Sequence, residues 1–171
     1  MSNSSNSFDT ARSDALLPVV RAGLAGGLLG GVCIWAYEAV VWVGWQHLMP
    51  VASIPANAVG LVFGPGVRLR LGPAAYVVGT LIHFGFAMAW GVPFALAWAR
   101  LARRGFEATL LALPYAVLAW IIMHAAIALV SDTHPDYLDP AIVIGGCMSH
   151  FFYAVPMALY VKYRGPTRTA G

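Results

Sequence analysis

The sequence predicts an all-α fold: a polytopic membrane protein whose four transmembrane helices form an up-and-down bundle. Of the 171 residues, 60% are hydrophobic and only 10% are charged, which leaves too little polar surface for a soluble domain of this size. Four stretches reach the roughly 20 apolar residues that a helix needs to cross the hydrocarbon layer. They lie near residues 22–45, 75–99, 108–130 and 140–162. Most connections between them are short, which favours antiparallel neighbours in one bundle.

The two ends of the chain differ in composition from the part between them. Residues 1–20 are rich in Ser and Asn and have no basic start before a short apolar core, so they do not resemble a cleaved signal peptide. We predict a polar cytoplasmic tail over 1–20, a single four-helix transmembrane domain over 21–164 and a second cytoplasmic tail over 165–171.

The connection between the first two spans is the longest one. Residues 50–74 contain many Pro and Gly residues, which argues against a further span. Within this connection, residues 53–63 are apolar enough for a short interfacial helix that starts near Pro55 and lies at the membrane surface.

The basic residues are distributed unequally between the two ends of the predicted spans. One side has only Arg68 and Arg70 and the acidic turn 132–139, whereas the other side has most of the basic residues: Arg12, Arg21, Arg100, Arg103, Arg104, Lys162, Arg164 and Arg168. The positive-inside rule therefore predicts that both termini are cytoplasmic. The basic residues lie at helix ends, so the expected partners are the lipid bilayer and its anionic headgroups, and not nucleic acid.

Each predicted span contains one ionisable residue well inside the apolar stretch. These residues are Glu38, His83, His124 and His150. With both termini cytoplasmic, all four fall in the outer half of the membrane, because a helix rises about 1.5 Å per residue. Ionisable residues at such depth usually face the bundle interior and mark functional sites.

Small residues share the helix faces that carry these polar groups. Membrane helices approach each other most closely at Gly and Ala. We therefore predict helix packing at Gly23, Gly27, Gly31, Gly79 and Gly146. This packing would turn Glu38 and the three histidines toward one another.

The second and fourth spans share a pattern in which Gly precedes His by four residues and Phe follows the His. It occurs at 79–87 and again at 146–154. This repeat suggests that the bundle is a duplicated helical hairpin, as in many membrane proteins.

The order of these features resembles the YagU-type family of bacterial inner-membrane proteins, a family without an established biochemical activity. The resemblance covers about residues 21–164 and rests on the Gly-rich first span with Glu38, the Pro-rich connection, and His83, His124 and His150. It implies a multi-pass protein of the bacterial inner (plasma) membrane with a link to survival in acid.

One carboxylate and three imidazoles from facing helices form a ligand set that suits a transition metal such as Zn, Fe, Cu or Ni. Our first hypothesis is therefore a metal site formed by Glu38, His83, His124 and His150. In a second hypothesis, His83 and His150 are axial ligands of a haem b, with small neighbouring residues making room for it.

Two further hypotheses need no metal. In one of them the cluster exchanges protons, as His and Glu do in relays and acid-response proteins, with the turn around His134 as an outer antenna. Alternatively, the four groups hydrogen-bond across the bundle of a structural or assembly subunit, in a homo-oligomer or a larger membrane complex. We find no GxSxG, HExxH or phosphate-loop motif, so the sequence favours a protein that is not an enzyme.

Overall fold

A computed structural model describes residues 4–64, 66–130 and 136–166, with side chains from residue 16 onward. Residues 131–135, which include His134 and the first part of the acidic turn, and the end of the second tail lie outside the described residues. The helices are α1 (Ser4–Glu38) with a π-helical extension (Ala39–Trp45), α2 (Ser53–Phe63), α3 (Val67–Leu71), α4 (Ala74–Leu101) with a 3₁₀ turn (Ala102–Arg104), α5 (Ala108–Val130) and α6 (Pro140–Arg164).

Four of these helices are long and apolar enough to cross a membrane. They cover Leu16–Trp45, Ala74–Arg104, Ala108–Val130 and Pro140–Arg164, so the prediction of four membrane-spanning helices in an all-α bundle is confirmed. The first helix differs from expectation at its start, because its backbone is helical from Ser4, within the stretch predicted as a polar tail.

Helix α1 lies between α4 and α6, and α5 packs on the far side of α6. The glycines of α1 make this arrangement feasible because they occupy two faces of the helix. A Cβ added to Gly23 would lie 2.8 Å from the backbone of α4, and one added to Gly30 would lie 2.5 Å from the Tyr153 carbonyl oxygen of α6. Gly27 and Gly31 also face α4, at Ala87. The first-helix glycines therefore serve contacts within the chain.

The short helix α2 confirms the helix predicted over 53–63, and it packs into the bundle. Ile54, Ala56 and Val59 are buried, with Val59 fully inaccessible. The contact is with α4, where a Cβ on Gly79 would collide with the Pro55 carbonyl group. Because Gly79 has no side chain, α2 approaches the backbone of α4 directly.

Helices α4 and α5 follow each other in the chain, yet they contact each other only sparsely. Tyr115 of α5 joins them near the middle: its hydroxyl donates to the Trp90 carbonyl oxygen, and its ring lies edge-on to Phe94 at 5.2 Å. Closer to α2, both helices border a cavity that lies between them.

The π-helical extension begins immediately after Glu38. Its wider turn is visible in the hydrogen bond from the Gln46 amide to the Val41 carbonyl oxygen, five residues earlier, at 2.8 Å. Such insertions are rare and occur frequently at functional sites, where they redirect side chains.

Candidate functional site

The cavity at the α2 end of the bundle has a volume of about 360 Å³ and is bordered by residues of α1, its π extension, α2, α4, α5 and α6. Trp90 and Tyr153 border it near the middle of their helices, and Ile54 and Leu61 of α2 border it at the other end. This volume lies within the range of small-molecule sites. Its walls are mostly apolar.

All four ionisable residues singled out in the sequence border this one cavity: Glu38 from α1, His83 from α4, His124 from α5 and His150 from α6. Four different helices therefore each bring one Glu or His side chain to a common space. Glu38 and the histidines are partly or fully buried by the protein, so none of them is turned entirely toward the lipid.

His124 and His150 are neighbours with the same local geometry. Their ring centroids are 5.7 Å apart. His124 Nδ1 lies 3.0 Å from the Trp120 carbonyl oxygen, and His150 Nδ1 lies 2.8 Å from the Gly146 carbonyl oxygen. A carbonyl oxygen only accepts hydrogen bonds, so each Nδ1 must carry the hydrogen. In the neutral rings, Nε2 is then left as the acceptor.

Gly146 makes room for this histidine pair. A Cβ at Gly146 would lie 3.2 Å from His124 Nε2 and 3.1 Å from Trp120 Nε1. Both distances are shorter than ordinary van der Waals contact, so a larger residue here would displace His124. The small residue predicted at a helix contact thus also shapes the site.

His83 is fixed by a different helix. Its Nε2 donates to the Gly31 carbonyl oxygen of α1 at 3.2 Å, which leaves Nδ1 as the acceptor of the neutral ring. His150 bonds within its own helix and His83 bonds across to α1, so the hydrogen bonds of the two repeated motifs are not equivalent.

Glu38 has no hydrogen bond or ion pair with any group in the described part of the chain. It is the last residue of α1 before the π extension. The wider turn of that extension determines the direction in which the backbone continues after Glu38. A carboxylate with no partner inside a membrane bundle is unfavourable, which makes an external partner the expected explanation.

Glu38 and the three imidazoles border the cavity, and each of them has a hydrogen-bond acceptor when the rings are neutral. Of two hydrogen-bond donors that border the cavity, one is already bonded within the bundle and the other is buried. The Tyr153 hydroxyl donates to the Ala87 carbonyl oxygen at 2.7 Å, and the Trp42 indole N–H is buried without a partner among the described residues. A ligand rich in donors, or a cation, suits such a cavity.

The geometry does not assemble a complete metal centre. Within residues 4–64, 66–130 and 136–166, no three His, Cys, Asp or Glu side chains lie together so as to hold a metal ion. His124 and His150 form a pair of neighbouring rings.

No protein-family model, curated protein or solved structure matches this chain. The resemblance to the YagU-type family therefore stays an expectation, and any functional argument depends on the cavity itself.

Sequence reasoning missed one wall of the cavity. Ile54, Asn57, Ala58 and Leu61 of α2 all border it, and their spacing of three, four and seven residues places them on one helix face. The pattern was present in the sequence. The prediction of a helix at the membrane surface does not assign this face to the bundle interior.

Proposed function

We propose that this protein binds a cation inside the membrane, with Glu38 as the counter-charge and the histidines as neutral acceptors. The observation that carries the proposal is that Glu38, His83, His124 and His150 border a single cavity. The hydrogen bonds of the histidines determine which nitrogen of each neutral ring is left as an acceptor.

The energetics support a cationic ligand. A charged side chain at the bilayer centre costs about 2.5–3.5 kcal/mol on insertion scales, and Glu38 has no partner in the described part of the chain to offset this cost. A bound cation would neutralise the carboxylate. A proton would do the same in the empty site, so proton exchange is the metal-free form of this proposal.

A transition metal is the second candidate, favoured by the orientation of His124 and His150. Ligating histidines usually donate their other ring N–H to a carbonyl or carboxylate, as both of these rings do to backbone carbonyls. Zn, Fe, Cu or Ni would suit two imidazoles with Glu38 as the counter-charge. Haem has weaker support, because His83 Nε2 is directed at Gly31 and only Nδ1 remains for iron.

The cellular location of the protein and the orientation of its termini are part of the same proposal. The four apolar helices support a multi-pass membrane protein. The concentration of basic residues at one end of the spans supports cytoplasmic termini, and the family resemblance supports the bacterial inner membrane.

The proposal can be tested by labelling Glu38 with dicyclohexylcarbodiimide, a lipophilic reagent that modifies membrane-embedded carboxyl groups. The protein is reconstituted in nanodiscs and incubated with Na⁺, Zn²⁺, Ni²⁺ or tetraethylammonium before labelling, and peptide mass spectrometry measures modification at each carboxyl group. We expect Glu38 to react and at least one of these cations to protect it.

The only other glutamate, Glu107, provides an internal control, because it lies at the surface in an ion pair with Lys162 at 2.8 Å. Its modification should be independent of the cation that protects Glu38. Equal labelling of Glu38 with and without every cation tested would contradict the proposal.

A further inference from the structure

The size of the cavity and its apolar walls indicate which class of cation it binds. A single metal ion needs a few ligands at about 2–2.5 Å, whereas this cavity has about 360 Å³ and mostly apolar walls. Phe86 and Trp90 of α4 face it from one side and Met123 and Ile127 of α5 from the other. Apart from the thioether of Met123, which is a weak metal ligand, these side chains offer no ligand atom to a metal ion, and they match an apolar organic group.

Aromatic rings stand in the same cavity as the carboxylate. Trp42, Phe86 and Trp90 border it together with Glu38. Aromatic faces attract organic cations, and the attraction is strongest where water is excluded. A carboxylate and several aromatic rings around one space are therefore complementary to an ammonium group.

We propose that the ligand is a lipophilic protonated amine. This inference rests on the proposed cation-binding function and specifies its substrate class. The ammonium group pairs with the Glu38 carboxylate, which borders the cavity and only accepts hydrogen bonds when ionised. The apolar body lies between α4 and α5, beside Phe86 and Met123.

The packing of the bundle also provides a route for such a ligand. Helices α4 and α5 contact each other sparsely, and their main ring contacts, at Tyr115, lie near mid-bundle. Between those contacts and α2 the two helices border the cavity. An amine dissolved in the bilayer reaches Glu38 through this gap between α4 and α5.

The test measures binding of tritiated 4-phenylbutylamine, which is protonated at neutral pH, to the protein in nanodiscs. Its neutral counterpart 4-phenylbutanol reports the contribution of charge, and methylamine reports the contribution of the apolar body. We expect the amine to bind at least about tenfold more tightly than 4-phenylbutanol, because hydrogen bonds to charged groups are stronger than neutral ones. It should also bind at least about tenfold more tightly than methylamine, because methylamine has no apolar body to bury.

Substitutions test which residues contact the ammonium group of the ligand and which contact its apolar body. Glu38→Gln should weaken binding of the amine about tenfold or more, whereas Glu107→Gln should leave it within twofold. Trp90→Leu should weaken it about threefold to thirtyfold, compared with Trp98→Leu, which changes a tryptophan of the same helix that does not border the cavity. Thermal melting of each variant identifies any that fail to fold.

The outcomes separate this inference from the proposed function. If Zn²⁺ or Na⁺ protects Glu38 from the carbodiimide while 4-phenylbutylamine binds no better than 4-phenylbutanol, the amine inference is wrong and the cation site stands. If neither the amine nor any inorganic cation interacts with Glu38, both are wrong. Tight amine binding that survives Glu38→Gln would also overturn the inference.

Discussion

The imidazole rings of His124 and His150 lie 5.7 Å apart between centroids, and each donates its Nδ1–H to the carbonyl four residues earlier in its own helix. In both neutral rings, Nε2 is the nitrogen left as an acceptor. The hydrogen bonds to the backbone fix both tautomers, so the pair is preorganised to accept a donor or to ligate a cation.

If the bound cation is a transition metal, this pair should dominate its binding. The variants His124→Ala and His150→Ala, purified after growth with supplementary metal, should then hold at least about tenfold less bound metal than the wild-type protein. This matches the expected loss of a ligand or of its support. His47→Ala is the control, because His47 is exposed outside the helices. Elemental analysis that finds no stoichiometric metal in the wild-type protein would remove the metal candidate.

Replacing Glu38 should stabilise the protein. The carboxylate has no hydrogen-bond partner in the described part of the chain, so Glu38→Leu removes an unsatisfied polar group and should raise the free energy of unfolding by about 1–3 kcal/mol. Glu107→Leu breaks only a surface ion pair and should change stability by at most about 1 kcal/mol. Reversible unfolding in mixed micelles measures both. A marked loss of stability in Glu38→Leu would instead support a structural role.

The contact between α1 and α4 should be sensitive to a single methyl group. A Cβ at Gly27 would collide with the Ala87 carbonyl oxygen, so Gly27→Ala should destabilise the bundle by about 1–3 kcal/mol through overpacking. Gly85→Ala is a matched control on α4, with no atom within 4 Å of its Cβ. The same unfolding assay compares them, and equal effects would mean that α1 and α4 do not pack as described.

The hydroxyl of Tyr153 should contribute to stability from within the core. Tyr153 is 4% exposed and donates to the Ala87 carbonyl oxygen at 2.7 Å, so Tyr153→Phe should cost about 0.5–1.5 kcal/mol. Tyr163→Phe, at a side chain that is 71% exposed, should have little effect. If the two variants unfold alike, the hydrogen bond between α6 and α4 is not formed.

The sequence was sufficient to predict the four spans and the short helix, because hydrophobic length and the positions of Pro and Gly determine them locally. It also identified the glycines of α1, whose close spacing is a strong signal for tight helix contacts. The two glycine faces correspond to the two neighbours of α1, which are α4 and α6.

Other features depend on tertiary packing. Nothing local to residues 39–45 indicates that the helix continues as a π-helix after Glu38. The burial of α2 depends on its contact with Gly79, which has no side chain and is distant from α2 in the sequence. The sparse contact between α4 and α5 is a property of the whole arrangement. The cavity between these helices therefore could not be predicted from one segment at a time.

The most direct test of cation binding at Glu38 is carbon-13 NMR of protein labelled only at the glutamate side-chain carboxyl groups. The chain has two glutamates, Glu38 and Glu107, so the spectrum contains one signal from the cavity and one from the surface. Addition of 4-phenylbutylamine or Zn²⁺ should shift the Glu38 signal and leave that of Glu107 in place. A Glu38 signal that responds to neither cation would contradict the account.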